Sequence, residues 1–209
     1  MRCRRDVVAD FGRAYYASRA YSKITWRGVQ LLKYPTDLWV YGELLWRVRP
    51  EVVVETGTYV GGAALFFADM LDNIGEGTVI SIDVADWADA EGPPAHPRIS
   101  YLRGSSVDPT IVGRVAEVAA GRTCFVILDS DHAADHVTAE LDAYAPLVSL
   151  GSYLVVEDTN VHEVRADYPP GPYDAVAKWL PHHPEFVVDR DCERLLLSAA
   201  PGGYLRRIR

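Results

Sequence analysis

The sequence predicts an α/β protein built on a doubly wound, mostly parallel sheet of seven strands. Three observations predict it. Apolar runs rich in β-branched residues alternate with helical segments from residue 52 onward. A glycine-bearing turn joins the first of these runs to a helix. Two short apolar runs near the C-terminus are close enough in sequence to form an antiparallel hairpin, and a helical layer precedes the sheet.

The predicted strands are apolar runs that suit burial in a parallel sheet. They cover residues 52–55, 78–83, 99–102, 124–129 and 153–158, followed by the hairpin strands 185–188 and 194–198. Helices are expected over residues 63–71, 110–120, 133–148 and 173–180. Residues 1–24 are expected to form a helix or a flexible arm, and residues 162–171 a long loop.

One further helix is expected before the sheet, ending near Val48. Thr36 or Asp37 can cap its start, because Pro35 disfavours a helical conformation at the residue before it. Four apolar residues then share one face of this helix at helical spacing. They are Leu38, Tyr41, Leu45 and Val48.

Composition excludes several classes of protein. The chain has 209 residues, enough for one α/β domain, and a net charge of -8, which argues against a sequence-independent nucleic-acid binder. No apolar run approaches the roughly 20 residues that span a bilayer, and no signal peptide is recognisable. The chain has three cysteines, an odd number, and they lie far apart in the sequence: Cys3, Cys124 and Cys192. This pattern suggests a reducing, cytoplasmic location.

The turn after the first strand indicates the kind of cofactor. A dinucleotide site uses a second glycine to approach the pyrophosphate, but Tyr59 stands two residues after Gly57, and Glu55 would repel a pyrophosphate. S-adenosylmethionine, which has an ammonium group and no phosphate, fits this turn better. Asp83 ends the second strand. Its distance along the sequence from the glycine turn is typical of an acidic residue that binds ribose hydroxyls. An ordinary turn whose glycines only ease packing stays an alternative.

Carboxylates also end the fourth and fifth strands of the predicted sheet. If the strand order reverses between the first and fourth strands, Asp129, Glu157 and Asp158 lie together beside the cofactor. Three close carboxylates require a proton or a cation, and Mg²⁺ (or Mn²⁺) suits an all-oxygen site. His132 is the candidate general base, since a helix N-terminus would lower its pKa. His136, one turn further along the helix, is the reserve candidate.

With these motifs in place, the chain resembles the class I S-adenosylmethionine-dependent methyltransferases, which are Rossmann-like. More narrowly, it is similar to the cephalosporin hydroxylase family, which includes rhamnosyl O-methyltransferases. The matching segments are residues 33–38 with Glu43, residues 54–57 through Gly61 and Gly62, residues 155–159, and residues 200–205. One departure is Ala63, where related proteins often have a serine.

The resemblance implies roles for individual residues. Asp129, Glu157 and Asp158 would hold the metal, and His132 would act as the base together with Asp129. The cofactor would be held by Glu55, Gly57, Tyr59, Gly61, Asp83, Ser106 (near the adenine) and Asp129.

The predicted function is therefore metal-dependent O-methylation of a small molecule by S-adenosylmethionine. The expected acceptor is a sugar moiety of a natural product or a similar diol. Residues 1–48 are interpreted as a helical segment that serves as a substrate lid or oligomer contact, and residues 49–209 as the methyltransferase domain. A homo-oligomer is expected. The alternatives are a non-catalytic cofactor-binding partner protein, or a hydroxylase or NAD-linked oxidoreductase on the same fold.

Overall fold

A computed structural model describes residues 4–86, 92–165 and 167–209 and confirms the predicted fold class. Its main sheet has seven strands in the order β5-β4-β3-β6-β7-β9-β8, and a two-stranded ribbon, β1-β2, precedes it. The strands are β1 Thr25–Trp26, β2 Val29–Gln30, β3 Val52–Thr56, β4 Thr78–Asp83, β5 Ile99–Arg103, β6 Cys124–Leu128, β7 Tyr153–Val156, β8 Phe186–Val188 and β9 Tyr204–Arg207. Cys124 and Cys192 are free and buried, whereas Cys3 lies outside the described residues.

Helices cover both faces of the sheet. They are α1 Arg4–Ser18, α2 Pro35–Val48, α3 Gly62–Ile74, α4 Pro109–Ala119, α5 Ala134–Tyr144, α6 Val161–Val164 and α7 Pro172–Trp179. Helices α2 and α3 pack on one face, and α4, α5 and α7 pack on the other. The fully buried strand β3 alternates its side chains between the two layers: Val52 and Val54 join one core, and Val53 joins the other.

The chain reverses its direction of winding at β3. From β3 it proceeds outward to β4 and β5, and then returns to place β6 on the other side of β3. The pairings of β3 with β4 and β6, and of β6 with β7, are all parallel. Their carboxyl ends therefore lie together, and the reversal opens a crevice there, as the sequence predicts.

The position of the last strand differs from the prediction. Residues 194–198 form no strand; they follow a 3₁₀-helix, Arg190–Glu193, and Leu196 has a positive φ of 72° that breaks an extended run. The partner of β8 is instead β9, which lies between β7 and β8 and pairs antiparallel with both. Tyr204 and Leu205 are fully buried, whereas Leu195 and Leu196 are exposed. Burial therefore selects the later segment as the strand.

The start of α2 also differs from the prediction. Tyr34 is the N-cap and Pro35 occupies the first turn, so neither Thr36 nor Asp37 caps the helix. The carboxylate of Asp37 instead accepts hydrogen bonds from the Ser198 hydroxyl (2.7 Å) and the Tyr204 hydroxyl (2.8 Å). Burial raises the pKa of Asp37 to about 7, with a further contribution from Glu157. The side chain that was expected to cap α2 thus ties it to the C-terminal segment.

Of the two alternatives for residues 1–24, a helix or a flexible arm, the structure has a helix from residue 4 onward. Helix α1 is followed by a 3₁₀-helix, Ala20–Lys23, and the expected long loop after residue 161 begins with the short helix α6. The buried face of α2 differs slightly from the predicted apolar face, with which it shares Tyr41 and Leu45. Val40 and Leu44 are buried there, whereas Leu38 and Val48 are half-buried. Among the described residues, none of the helices has the length and apolar character needed to cross a bilayer.

Candidate active site

A cleft of about 680 Å³ lies at the carboxyl ends of the central strands. Most of the residues predicted to bind ligands line it. These are Gly57, Tyr59, Asp83, Ser106, Asp129, His132 and Asp158, with His136 at the same cleft. Glu55, Gly61 and Glu157 are absent from its described lining. The chain reversal thus brings the glycine turn, the β4 carboxylate and the β6 carboxylate to one cavity.

The turn after β3 requires glycine at Gly57. Its φ is +87°, and a Cβ added there would lie 1.9 Å from the carbonyl oxygen of Asp129. Tyr59 also has a positive φ, 52°, and is half-exposed at the cleft. Gly61, with φ +82°, caps α3. The turn therefore passes against the end of β6 and brings backbone groups to the cleft where a ligand could bind.

Asp83 connects the end of β4 to this turn. One carboxylate oxygen accepts a hydrogen bond from the Tyr59 backbone N–H at 2.8 Å, and the other from the Ala85 N–H at 2.9 Å. Both bonds orient the carboxylate at the wall of the cleft. In a doubly wound fold, a carboxylate in this position can contact ribose hydroxyls. The position of Asp83 is therefore compatible with the prediction that it binds the ribose of the cofactor.

Glu55 lies behind the turn rather than in the cleft. It is fully buried, and the Ser81 hydroxyl donates to its Oε2 at 2.7 Å. Its Oε1 has no hydrogen-bond partner among the described residues. Burial raises the pKa of Glu55 to about 8, against the opposing effect of Lys33. A carboxyl group that is largely protonated at neutral pH is poorly suited to bind an ammonium group, so the predicted role of Glu55 gains no support from its position.

The strand-end carboxylates form a compact cluster with one histidine. Asp129, His132 and Asp158 can each offer one ligand atom, and these atoms lie within 4.8 Å of one another. His132 Nε2 is 3.2 Å from Asp158 Oδ2 and 3.6 Å from Asp129 Oδ1. Two carboxylates beside a neutral imidazole form a negatively charged donor set. Such a set fits a divalent cation, and Mg²⁺ or Mn²⁺ suits its oxygen ligands.

Glu157, the third predicted metal ligand, has two protein partners instead. Its Oε1 is 3.1 Å from the ammonium of Lys33 and also accepts a hydrogen bond from the Tyr41 hydroxyl. The same ammonium is 2.7 Å from Asp129 Oδ2. The expectation that a proton or a cation must relieve the repulsion among these carboxylates is therefore met in part by the ammonium of Lys33. Whether Glu157 also binds a metal stays a prediction.

Lys33 is the site residue that sequence reasoning missed. It lies in the loop between β2 and α2, is only 2% exposed, and reaches carboxylates that follow it by 96 and 124 positions. Burial alone would lower the pKa of Lys33, but Asp129 and Glu157 raise it well above its ordinary value. The available signal was a lysine within the apolar run Leu31-Leu32-Lys33-Tyr34, where a charged side chain needs a buried partner.

The expected effect of the helix N-terminus on His132 is wrong. Helix α5 begins at Ala134, so His132 precedes the helix. Burial lowers its pKa, but the nearby carboxylates of Asp129 and Asp158 outweigh burial and raise it to about 9. Burial and the nearby Asp129 raise the pKa of Asp158 to about 7, whereas Lys33 and His132 lower that of Asp129 in spite of burial. Without a metal, His132 is therefore a cation at neutral pH.

His136, the reserve candidate for the base, belongs to a different part of the cleft. Its Nε2 is 3.1 Å from the Ser106 hydroxyl and 3.2 Å from the Ser130 hydroxyl. It also lies 3.7 Å from the buried carboxylate of Glu140, which contributes most to raising the pKa of His136. This group surrounds Ser106, the residue predicted to lie near the adenine. Of the two histidines, His132 is the one in the carboxylate cluster.

The doubly wound sheet, its glycine turn and its acidic strand ends are those of an S-adenosylmethionine-dependent methyltransferase, and the comparisons agree. A model of the family Rhamnosyl O-methyltransferase/CmcI matches residues 18–208. The chain belongs to this family.

Curated relatives and solved structures support the assignment. Rhamnosyl O-methyltransferase of Mycobacterium tuberculosis is 35% identical, over 97% of this chain and 86% of the relative. The Mycobacterium leprae protein of the same name is 34% identical, over 97% and 91%. A solved CmcI structure whose description names Mg and SAM superposes with a TM-score of 0.70 at 25% identity, over 91% of this chain and 78% of CmcI. Together these relatives support an S-adenosylmethionine-dependent O-methyltransferase.

Proposed function

We propose that this chain is a Mg²⁺-dependent O-methyltransferase that transfers the methyl group of S-adenosylmethionine to a hydroxyl of a small molecule, a sugar moiety of a natural product. One observation carries the proposal: the Asp129–His132–Asp158 cluster opens into the same cleft as the glycine turn. A metal-activated hydroxyl and a methyl donor could therefore meet within a single cavity. The names of the curated relatives support a sugar acceptor, and the description of the CmcI structure supports magnesium.

The residues of the cleft divide into a cofactor side and a metal side. Asp83 and the backbone of the turn from Gly57 to Gly61 would hold the cofactor, with Ser106 near the adenine and Asp129 at the boundary. Asp129 and Asp158 would hold the metal, and Glu157, directly before Asp158, stays the predicted third ligand. Bound Mg²⁺ would lower the pKa of the acceptor hydroxyl and fix its orientation.

His132 would take the proton of the acceptor hydroxyl as its oxygen attacks the methyl carbon of S-adenosylmethionine. The S–CH3 bond breaks with its electron pair on sulfur, and S-adenosylhomocysteine leaves. The imidazole of His132 must be neutral to take the proton. Asp129 and Asp158 hold it protonated in the absence of a cation, and a cation bound by these carboxylates would offset their effect on its pKa. Positioning both reactants in the cleft could contribute up to about 7–11 kcal/mol toward the barrier.

The N-terminal segment, residues 1–48, is proposed to serve as a substrate lid or as a contact between subunits of a homo-oligomer. Trp39 and Trp46, which lie seven residues apart on α2, are 66% and 61% exposed and support the second role. Light scattering coupled to size-exclusion chromatography would test it. A dimer that dissociates when both tryptophans are replaced by glutamine would support the contact, and a monomeric wild type would refute it.

The first experiment is calorimetry of EDTA-treated protein with S-adenosylmethionine and S-adenosylhomocysteine, with and without Mg²⁺ or Mn²⁺. Cofactor binding together with a separate metal site, lost in Asp158→Asn, supports the proposal and is followed by methylation assays on rhamnosylated and other glycosylated acceptors. Cofactor binding without a metal site would refute the metal dependence. Stabilisation by NAD but not by S-adenosylmethionine in a thermal-shift assay would favour the oxidoreductase alternative. Cofactor and metal binding without methyl transfer to any acceptor would favour the non-catalytic alternative.

A further inference from the structure

Lys33 is a buried cation that the proposed reaction does not use. Its ammonium lies 2.7 Å from Asp129 Oδ2 and 3.1 Å from Glu157 Oε1, and its side chain is 2% exposed. Charged side chains are rarely buried to this extent unless they are paired, because the desolvation penalty is large. The position of Lys33 beside two strand-end carboxylates therefore needs a functional or structural reason.

The loop that carries Lys33 is fixed on both sides. Leu31, two residues earlier, is buried, and its backbone N–H donates to the Ile24 carbonyl at 2.9 Å. Tyr34, the next residue, caps α2, and its hydroxyl accepts a hydrogen bond from the Asn160 amide at 3.1 Å. Asn160 follows Asp158 by two positions, so this bond ties the lysine loop to the end of β7. The ammonium is consequently held in place by its surroundings.

Two basic side chains contact the carboxylates of the cluster. Asp129, Glu157 and Asp158 carry three ionisable carboxyl groups; His132 lies beside Asp129 and Asp158, and the ammonium of Lys33 lies between Asp129 and Glu157. The ammonium takes Oδ2 of Asp129, and Oδ1, the other oxygen, is the one nearer to His132. Lys33 thus compensates the carboxylates while leaving one oxygen of Asp129 directed to the cluster in which a divalent cation would bind.

We infer that Lys33 is the resident counter-ion of the carboxylate cluster and a positioning residue for the proposed reaction. It holds Asp129 and Glu157 in place before a divalent cation binds, and its charge weakens the binding of that cation. The second statement rests on the proposed metal dependence, whereas the first rests on the contacts of Lys33 alone.

The two effects are linked thermodynamically. An ammonium and a divalent cation that share Asp129 repel each other, and the coupling between them is reciprocal. Removal of the ammonium should therefore destabilise the metal-free protein and tighten divalent-cation binding. A coupling within the ordinary range corresponds to a change in affinity of about tenfold.

The test uses Lys33→Met, whose side chain matches the aliphatic part of lysine and lacks the charged nitrogen. Mn²⁺ is titrated into the EDTA-treated, full-length variant by calorimetry, and free Mn²⁺ is counted by electron paramagnetic resonance. The expected Kd for Mn²⁺ is about tenfold lower than that of the wild type. Lys33→Arg, which keeps the charge on a larger, planar head group, should bind Mn²⁺ more weakly than Lys33→Met. Lys178→Met, at an exposed lysine, is the matched control and should change nothing.

A Lys33→Met protein that is folded by circular dichroism but binds Mn²⁺ no more tightly than the wild type would overturn the coupling.

The second part of the test, the stability arm, measures unfolding by urea and does not depend on metal. In EDTA, Lys33→Met should lower the urea midpoint, and the double variant Lys33→Met with Glu157→Gln, which removes one buried charge of each sign, should recover more than half of the loss. Failure to recover would overturn the counter-ion role. A wild type that binds no Mn²⁺ would refute the proposed metal dependence and leave the counter-ion role to the stability arm.

Discussion

Replacement of Gly57 by alanine tests the geometry on which the cofactor side of the cleft depends. The added Cβ would lie 1.9 Å from the Asp129 carbonyl oxygen and 2.7 Å from its carbonyl carbon. Ordinary contacts begin near 3.4 Å, so the ends of β3 and β6 would have to separate by roughly 1.5 Å. That movement would also strain the hydrogen bond from the Asp129 N–H to the Thr56 carbonyl, which is 3.1 Å long.

Two costs add at Gly57. An L-residue with a left-handed backbone loses about 1–2 kcal/mol, and overpacking of a close contact costs about 1–3 kcal/mol. The free energy of unfolding should therefore fall by about 2–5 kcal/mol. Gly28 is a matched control, because its φ is +85° and nothing lies within 4 Å of the position of an added Cβ. Gly28→Ala should lose about 1–2 kcal/mol, which is the backbone cost alone.

Urea denaturation of Gly57→Ala and Gly28→Ala, followed by circular dichroism, measures this difference. Each kcal/mol should also lower Tm by about 2–4 °C in a chain of this size. Calorimetry with S-adenosylmethionine should show loss of affinity only in Gly57→Ala, because only that change displaces the turn from Asp129. Equal unfolding free energies for the two variants, within about 0.5 kcal/mol, would refute the reasoning from the close approach.

Three further predictions concern single carboxyl or imidazole groups. His132→Ala should lower kcat about 10²–10⁴-fold in a methylation assay while changing the Kd for S-adenosylmethionine less than about threefold, since it removes only the proposed base. Asp83→Asn should weaken S-adenosylmethionine binding about tenfold in calorimetry, because a charge-assisted hydrogen bond to the ribose is lost. Burial raises the pKa of Glu55 from 4.5 to about 8, so the folded chain binds this proton more tightly than the unfolded chain does. The contribution of Glu55 to stability should therefore fall as pH rises from about 4.5 to about 8. Over that range, the urea midpoint of Glu55→Gln should rise relative to that of the wild type.

Each of these predictions has an outcome that contradicts it. Unchanged kcat of His132→Ala from about pH 6 to about pH 9 would exclude His132 as the base. Wild-type cofactor affinity in Asp83→Asn would exclude the ribose contact. Parallel stability curves for Glu55→Gln and the wild type would show that Glu55 is ionised in the folded chain at neutral pH.

The central part of the fold could be predicted because its strands carry their own signal. Residues 52–54 are all valine and residues 124–128 are all apolar, and both segments lie in the middle of the sheet, where both faces are buried. The last strand has no such signal. Arg206 and Arg207 are two of its four residues, and the leucine run at 195–197 reads more like a strand. Pairing with both β7 and β8 decides the outcome, and that is a tertiary effect that local pattern does not encode.

The sequence likewise predicts the position of some site residues but not of others. Asp129 and Asp158 could be placed together because the carboxyl ends of parallel strands meet wherever the winding reverses. Lys33 could not be placed at the site, since no local pattern connects a residue of the β2–α2 loop to strands that follow about 90 or more positions later. The orientation of the Glu55 side chain also could not be predicted from the sequence. Strand periodicity assigns Glu55 to a face of the sheet, but it does not say whether the carboxyl group reaches the cleft or lies behind the turn.

The order of the last two strands has a consequence for how the chain folds. Strand β9 follows the other described strands in the chain yet lies between two of them in the sheet, so β7 has an unpaired edge and β8 has no neighbour until Tyr204–Arg207 insert between them. Unpaired edges of this kind invite association with other chains. On the ribosome, the strand that carries Glu157 and Asp158 at its end would therefore keep one edge exposed until the segment up to Arg207 has been made. Pairing of that edge and closure of the sheet thus become a single event, which waits for β9.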